Sequence, residues 1–309
     1  MTNLTDTFMH LAPFVVEKLW GGHKLAMMKG LNSQGMIGET WEVSTLKEGP
    51  SSFKGQPLNQ WIHHLRYLIK FIDTTDYLSV QVHPGDEYAA KVESSQGKTE
   101  CWFILDAEDG AGIYLGFQAG VTKSQFEKAI TNKEDLSPYL RFYPVKRGDF
   151  FFVPAGSIHA IGKGVTLAEV QQSSGITYRV WDWNRLEKNG QPRQLDVAKA
   201  LDVLNFEENS NRSEFFRYMA NSFQKTNLDF IIHPDFHVSL IKLNSDEKFN
   251  FEILENKNYA VLNLSGECDL SLNHQKTYLQ KYHSLLINPG LQGPMEIHAM
   301  KETILLVVR

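Results

Sequence analysis

Three stretches of the chain carry side chains that can hold a metal. In QVHPGDEY, Gln81 and His83 are two residues apart on an expected strand, so the two-residue period points both to one face. In KTECWFI, Lys98 and Glu100 are likewise two apart at the start of the next strong strand. In GDFFFVPAGSIH, an apolar run from Phe150 to Val153 meets a Pro-x-Gly corner, and His159 follows three residues after Gly156. Two histidines, one carboxylate and one amide make an N/O donor set that suits Zn²⁺ and leaves room for water or substrate. A single histidine near a strand end is usually a surface residue, and the chain has 11 of them. The weight lies in Gln-x-His followed by an acid on the next strand, together with the fixed Gly-Pro-Gly-His spacing.

The elements that must position these residues are mostly strands. Segments 77–83, 101–105, 112–117, 149–154 and 165–172 are rich in β-branched and aromatic residues and are bounded by Gly, Pro or Asp. Helical spacing occurs at 86–94, at 122–133 behind a Thr cap, and at 195–206, with a short helix expected at 58–65. From about 228 the chain is a succession of short strands and turns, the pattern of a β-sandwich or jelly roll. The polar stretch 207–227 reads as a linker, which divides the chain into 1–225, bearing the metal ligands, and 226–309, a second jelly roll without them.

Composition excludes several classes. The chain has 309 residues, 42% hydrophobic and 22% charged, with a net charge of −5, which argues against broad nucleic-acid binding. No apolar run approaches the roughly 18–20 residues that span a bilayer, and the first twenty residues lack a basic segment leading into an apolar one. The expectation is a soluble cytoplasmic protein with no nucleic-acid or membrane partner. Its two cysteines, Cys101 and Cys268, are far apart and form no CxxC pair, so a disulfide framework is not expected.

The spacing Gly148-x5-Pro154-x-Gly156-x2-His159 resembles the second motif of the cupin superfamily. The usual first motif, His-x-His and then Glu, is altered here to Gln81-x-His83, with sixteen residues before Glu100. With GETWEVS (38–44), KFIDTTDYLSVQVHPGDEYA (70–89), GKTECWFIL (97–105), VKRGDFFFVPAGSIHAIGKG (145–164), EVQQSSGITYR (169–179) and WDWNR (181–185), the chain resembles the short bacterial form of type I mannose-6-phosphate isomerases. The resemblance covers about 38–200 and is weak beyond 205.

That resemblance implies a mainly β protein of two cupin-type jelly rolls with a small helical insertion. It implies a zinc-dependent aldose–ketose isomerase, moving a proton between C1 and C2 of mannose 6-phosphate and fructose 6-phosphate through an enediol(ate). The family's zinc ligands fall on Gln81, His83, Glu100 and His159, and its active-site lysine falls on Lys98. A glutamate and an arginine implicated in catalysis fall on Glu169 and Arg179, and a phosphate-binding basic residue falls on Arg185. Either Glu169 or Lys98 serves as the proton carrier. The chain departs from the family in having Gly85 where Asp is common, and HHLRY (63–67) where the family is more apolar. Trp181 and Trp183 alternate along an expected strand, one of them expected in the core and one at the sugar pocket, with Trp20 and Trp41 in core or rim. The alternatives are a cupin isomerase of an unphosphorylated sugar and a sugar-binding cupin without activity. An iron dioxygenase would ordinarily keep a histidine at position 81.

Overall fold

The computed structural model describes residues 5–33, 35–186 and 190–309. Four antiparallel sheets form a stack. The first, five-stranded, runs in the order Leu140–Pro144, Gly112–Phe117, His159–Ile161, Val80–Val82, Tyr178–Trp181. The second, six-stranded, runs Phe150–Val153, Glu100–Ala107, Val165–Gln172, Tyr67–Asp73, Ile37–Val43, Phe14–Gly22. Ile113, Leu115 and Ile161 from the first meet Ile72, Ile104, Phe151 and Leu167 from the second, which closes the first jelly roll.

The opposite face of that six-stranded sheet is also covered. Ile69, Phe71, Phe103 and Val170 pack on Val238, Leu240, Leu262 and Leu306 of a second six-stranded sheet. Its order is Phe8–His10, Ser284–Ile287, Ala260–Ser265, Thr303–Val308, His237–Leu243, Asn227–Ile232. A four-stranded sheet, Lys248–Ile253, Gly293–Ala299, Cys268–Leu272, Gln275–Leu279, completes the second jelly roll. Burial on both faces explains why Tyr67–Asp73 and Val165–Gln172 are buried at every position and read as continuous runs rather than alternating ones.

The expected helices occur at Asp86–Glu93, Lys123–Thr131 and Val197–Val203. Thr122 caps the second with a complete capping box, its side chain accepting from Gln125 N while Gln125 returns to Thr122 N. Phe126, Ala129 and Ala200 from these helices cover the outer face of the five-stranded sheet. Three sequence expectations are corrected. Residues 58–65 form only a single 3₁₀ turn, Leu58–Gln60, and Trp61 and Ile62 lie beyond it. Trp183 does not continue a strand: Tyr178–Trp181 ends first, and Trp183 turns with φ 57°. The stretch 207–227 is no free linker. Phe152 N donates to Phe216 O and Phe150 N to Met219 O, with Phe216 fully buried, so this segment lies along the strand Phe150–Val153.

Candidate metal centre and sugar cavity

Register builds the site from two rows of side chains facing each other inside the first jelly roll. On the six-stranded sheet, Trp41 pairs with Lys70, Lys70 with Glu169, Glu169 with Trp102 and Trp102 with Phe151. On the five-stranded sheet, Arg179 pairs with Gln81, and Gln81 with His159. Residues far apart in sequence thus stand side by side.

His83, Glu100 and His159 converge so that one donor atom from each lies within 4.8 Å of the others. Glu100 Oε2 is 3.5 Å from His83 Nε2, and Glu100 Oε1 is 3.4 Å from His159 Nε2. Both rings are oriented by the backbone: His83 Nδ1 lies 2.9 Å from Ile176 O and His159 Nδ1 3.0 Å from Ser157 O. A carbonyl only accepts, so each Nδ1 carries the proton and each Nε2 keeps its lone pair on the side of Glu100, where that of His83 accepts from Lys98 Nζ at 2.9 Å. Burial, then Lys98 and His159, hold His83 well below the ordinary imidazole value, and burial brings His159 down to about 4. Both rings are therefore neutral at pH 7, the form that ligates.

Glu100 is buried and neither of its carboxylate oxygens has a hydrogen-bond partner among the described residues. Only the Lys98 ammonium, 3.0 Å from Oε2, meets it as an ion pair. A buried carboxylate without hydrogen bonds is costly unless cations complete it, and the single ammonium beside Oε2 leaves Oε1 without one. Gln81 stands beside the cluster with its Nε2 donating to His159 Nε2 at 3.2 Å, while its Oε1, the atom that could ligate, faces Ser79 Oγ at 3.5 Å. The residues fit a metal ion.

Local structure fixes these ligands. Gly156 takes φ 84°, a conformation open to glycine, and its N–H donates to His83 O at 2.8 Å. The Pro-x-Gly corner thereby clips the two histidine-bearing segments together. Lys98 N donates to Pro84 O at 3.0 Å. At Gly97 a Cβ would come within 2.6 Å of Asp86 N, so this close crossing needs glycine. Gly85 caps the helix Asp86–Glu93 with no side-chain bond, which is what the family's aspartate would have supplied.

A cavity of about 360 Å³ opens beside the cluster, lined by Gln81, Lys98, Glu169 and Arg179 among others. Glu169 is buried; Trp102 Nε1 donates to its Oε1 at 3.0 Å and Lys70 lies 3.5 Å from Oε2. Burial, and then the Glu100 charge, raise Glu169 above the ordinary carboxylate value, with Lys70 and Lys98 opposing. Lys70 also pairs with Glu39 at 3.4 Å and lies 4.8 Å from the Trp41 ring centre. Burial works to raise Glu39, but Lys70 and Lys18 outweigh it and bring it to about 2. Lys18, Lys70, Lys98, Arg179 and Arg193 line the cavity against the acids Glu39 and Glu169, so its wall favours an anion.

Gln81, Lys98, Glu169 and Arg179 are thus brought to one cavity, and Lys98 and Gln81 connect its wall to the His83–Glu100–His159 cluster behind it. Arg185 stands apart. It lines an adjoining cavity of about 500 Å³ that shares Lys18, Trp20 and Arg193 with the first, and it is bound to Asp76 at 2.9 Å and Asp182 at 2.7 Å. Lys18, Glu39, Lys70, Trp102 and Arg193 went unmarked in the sequence reading as cavity residues. Lys70 alone had a visible signal, a charge inside the apolar run YLIKFI. Trp20 lines both cavities; neither Trp181 nor Trp183 lines either one.

No protein-family model matches the chain. It is 41% identical over 214 residues to a probable mannose-6-phosphate isomerase, GmuF, of Bacillus subtilis, spanning 63% of this chain and 67% of that protein. It is 37% identical over 219 residues to the mannose-6-phosphate isomerase ManA of the same organism, spanning 65% and 69%. Among solved structures, the mannose 6-phosphate isomerase of Bacillus subtilis superposes with a TM-score of 0.81 at 27% identity, over 98% of this chain and 100% of that one. A structure from Archaeoglobus fulgidus, described as a putative mannosephosphate isomerase, shares the fold with a TM-score of 0.75 at 20% identity, over 100% and 99%. With its sheets, its buried His–Glu–His cluster and these likenesses in agreement, the chain belongs to the mannose-6-phosphate isomerase family.

Proposed function

We propose that this protein interconverts mannose 6-phosphate and fructose 6-phosphate, and that the ion it uses is Zn²⁺ held by Gln81, His83, Glu100 and His159. The observation that carries this reading is a buried carboxylate of raised basicity, Glu169, in a cation-lined cavity whose Lys98 also touches a buried His–Glu–His cluster. When bound, the ion supplies Lewis-acid polarisation of the sugar oxygens at C1 and C2.

The protein's own groups do the rest. Ionised Glu169 takes the proton from C2 of the open-chain aldose, and the C–H electron pair becomes the C1–C2 double bond of an enediol(ate). The same carboxyl returns the proton to C1 as the C2 oxygen becomes a carbonyl, and the hydroxyl proton that leaves O2 is balanced by the one gained at O1, to which the C1 carbonyl electrons had moved. Burial lifts its basicity toward that of the weak carbon acid it must meet. Lys98 opens on the cavity beside the cluster and donates to a sugar oxygen, while Arg179 contributes a fixed positive charge facing the enediolate. The phosphate lies toward Arg185, with Lys18 and Arg193 on the wall shared by the two cavities. Residues 226–309 form a supporting jelly roll with no metal of its own. Two free, buried cysteines accord with a reducing cytoplasm.

The test is a coupled assay for fructose 6-phosphate formation from mannose 6-phosphate, with metal content measured on the same sample. Activity lost to a chelator and restored by zinc is the expected result. A zinc-loaded protein inactive on mannose 6-phosphate would sink the reading.

A further inference from the structure

Beyond apolar packing, the second jelly roll sends a buried carboxylate to the segment of the first that bears the metal ligands. Asp235 lies in the turn between Asn227–Ile232 and His237–Leu243, with its side chain buried. Its Oδ2 accepts from Gln172 Nε2 at 2.6 Å. Gln172 Nε2 also donates to Asp86 Oδ1 at 3.0 Å, and Gln172 Oε1 accepts from Thr99 N at 2.7 Å. Thr99 is the residue between Lys98 and Glu100.

The chemistry of an amide makes this arrangement directional. Two carboxylates only accept, so both draw the NH₂ end of Gln172, and its single oxygen must face Thr99. Asp86 Oδ1 accepts from Gly97 N at 2.8 Å as well. The peptide that aims Lys98 and Glu100 is therefore held by side chains on both sides of Lys98. Arg66 forms an ion pair with the other Asp235 oxygen. That pairing accounts for a charge within HHLRY, the segment where the family is more apolar.

We propose that Asp235 is a positioning residue for the metal centre, acting through Gln172 on the Lys98–Glu100 peptide. This rests on the reading of His83, Glu100 and His159 as metal ligands. Partners that orient a metal ligand commonly change affinity by about 10–100-fold when removed. A residue that only fastened the two jelly rolls together would change stability alone.

The experiment measures zinc affinity by chelator competition, with kcat and KM, for D235L, Q172M, D235N and L270A. Leu270 is buried in the second jelly roll's own core, away from the network. D235L and Q172M are expected to bind zinc about tenfold more weakly and to lose kcat with KM unchanged. D235N, which keeps an acceptor for Gln172, is expected to retain both. L270A is expected to melt earlier while keeping zinc affinity. If either network variant that folds binds zinc as tightly as the parent, or L270A loses as much affinity, Asp235 is merely structural. Should D235L and Q172M both fail to fold, the smaller D235S decides: about tenfold weaker zinc binding supports the proposal and parental zinc affinity overturns it. A parent protein that binds no zinc overturns the site reading, and this proposal with it.

Discussion

Glu100 and Glu169 are both buried acids, the first in the metal-capable cluster and the second in the cavity wall, and they are set up for different work. Glu100 has open oxygens beside two neutral imidazoles, whereas Glu169 is held by Trp102 and Lys70. Glu169→Gln is therefore expected to keep its metal and lose 100-fold or more in kcat, on the order of a general base's contribution. Glu100→Gln is expected to lose bound metal, which elemental analysis of the two purified variants separates. The imidazoles give a pH prediction for the metal-free protein. Their folded values lie below the ordinary 6.5, so the folded state binds fewer protons than the unfolded one. The contribution of His159 is full above pH 6.5 and is lost as pH falls toward about 4, amounting to roughly 3 kcal/mol, and His83 acts in the same direction. Glu169 has the opposite sign: its raised value favours the folded state below pH 4.5 and loses that effect as pH rises. Denaturant midpoints of chelated protein from pH 7 to 4.5 are expected to fall, and a flat profile would contradict neutral buried histidines. At this scale the sequence was informative where spacing is local, as at Gly156 and His159. It was silent on Lys18, Arg193 and Trp102, because only cross-sheet placement makes them neighbours of the cluster.

The corner at Pro154–Gly156 shows how an element positions chemistry. With φ at 84° and Val203 O 3.0 Å from where a Cβ would stand, Gly156 has neither the conformation nor the space for a side chain. Gly156→Ala is expected to cost about 1–3 kcal/mol and to weaken metal binding, since the same residue clips His83 to the His159 segment. Thermal melts with and without zinc check both effects. Most strong strands were legible from β-branched and aromatic runs: Gly112–Phe117 and Val165–Gln172 fall at the expected bounds. The apolar content of 58–65 misled, because Leu58, Ile62 and Leu65 are buried by tertiary packing without continuing a helix. Segment 207–227 reads as polar, yet Phe216 and Phe223 anchor it. Two aromatic anchors in a charged stretch leave no periodicity to detect.

The two jelly rolls meet through apolar faces, and a buried ion pair of the first, Lys29–Glu42, reaches across to Tyr282 and Ser284 of the second. Lys29 Nζ lies 2.6 Å from Glu42 Oε2, also donates to Tyr282 O, and sits 5.3 Å from the Phe71 ring centre. Thr40 Oγ1 donates to Glu42 Oε1 at 2.7 Å. Removing one partner strands the other's charge, so Lys29→Met is expected to cost about 3–5 kcal/mol, while Lys29→Met with Glu42→Leu recovers much of it. Calorimetry on the single and double variants checks this, and equal losses in both would contradict it. The sequence offered the two-fold repeat of strands but not how the halves interlock.

That interlocking begins at the first strand. Phe8–His10 pairs with Ser284–Ile287, about 280 residues later. At a synthesis rate of roughly 5–20 residues per second, this early strand waits about 15–55 s for its partner to leave the ribosome. During that interval Met9, fully buried at the end, has no native neighbour from the strand it will join. The outer strand of the second jelly roll is thus a closing latch, set only when nearly all of the chain has been made.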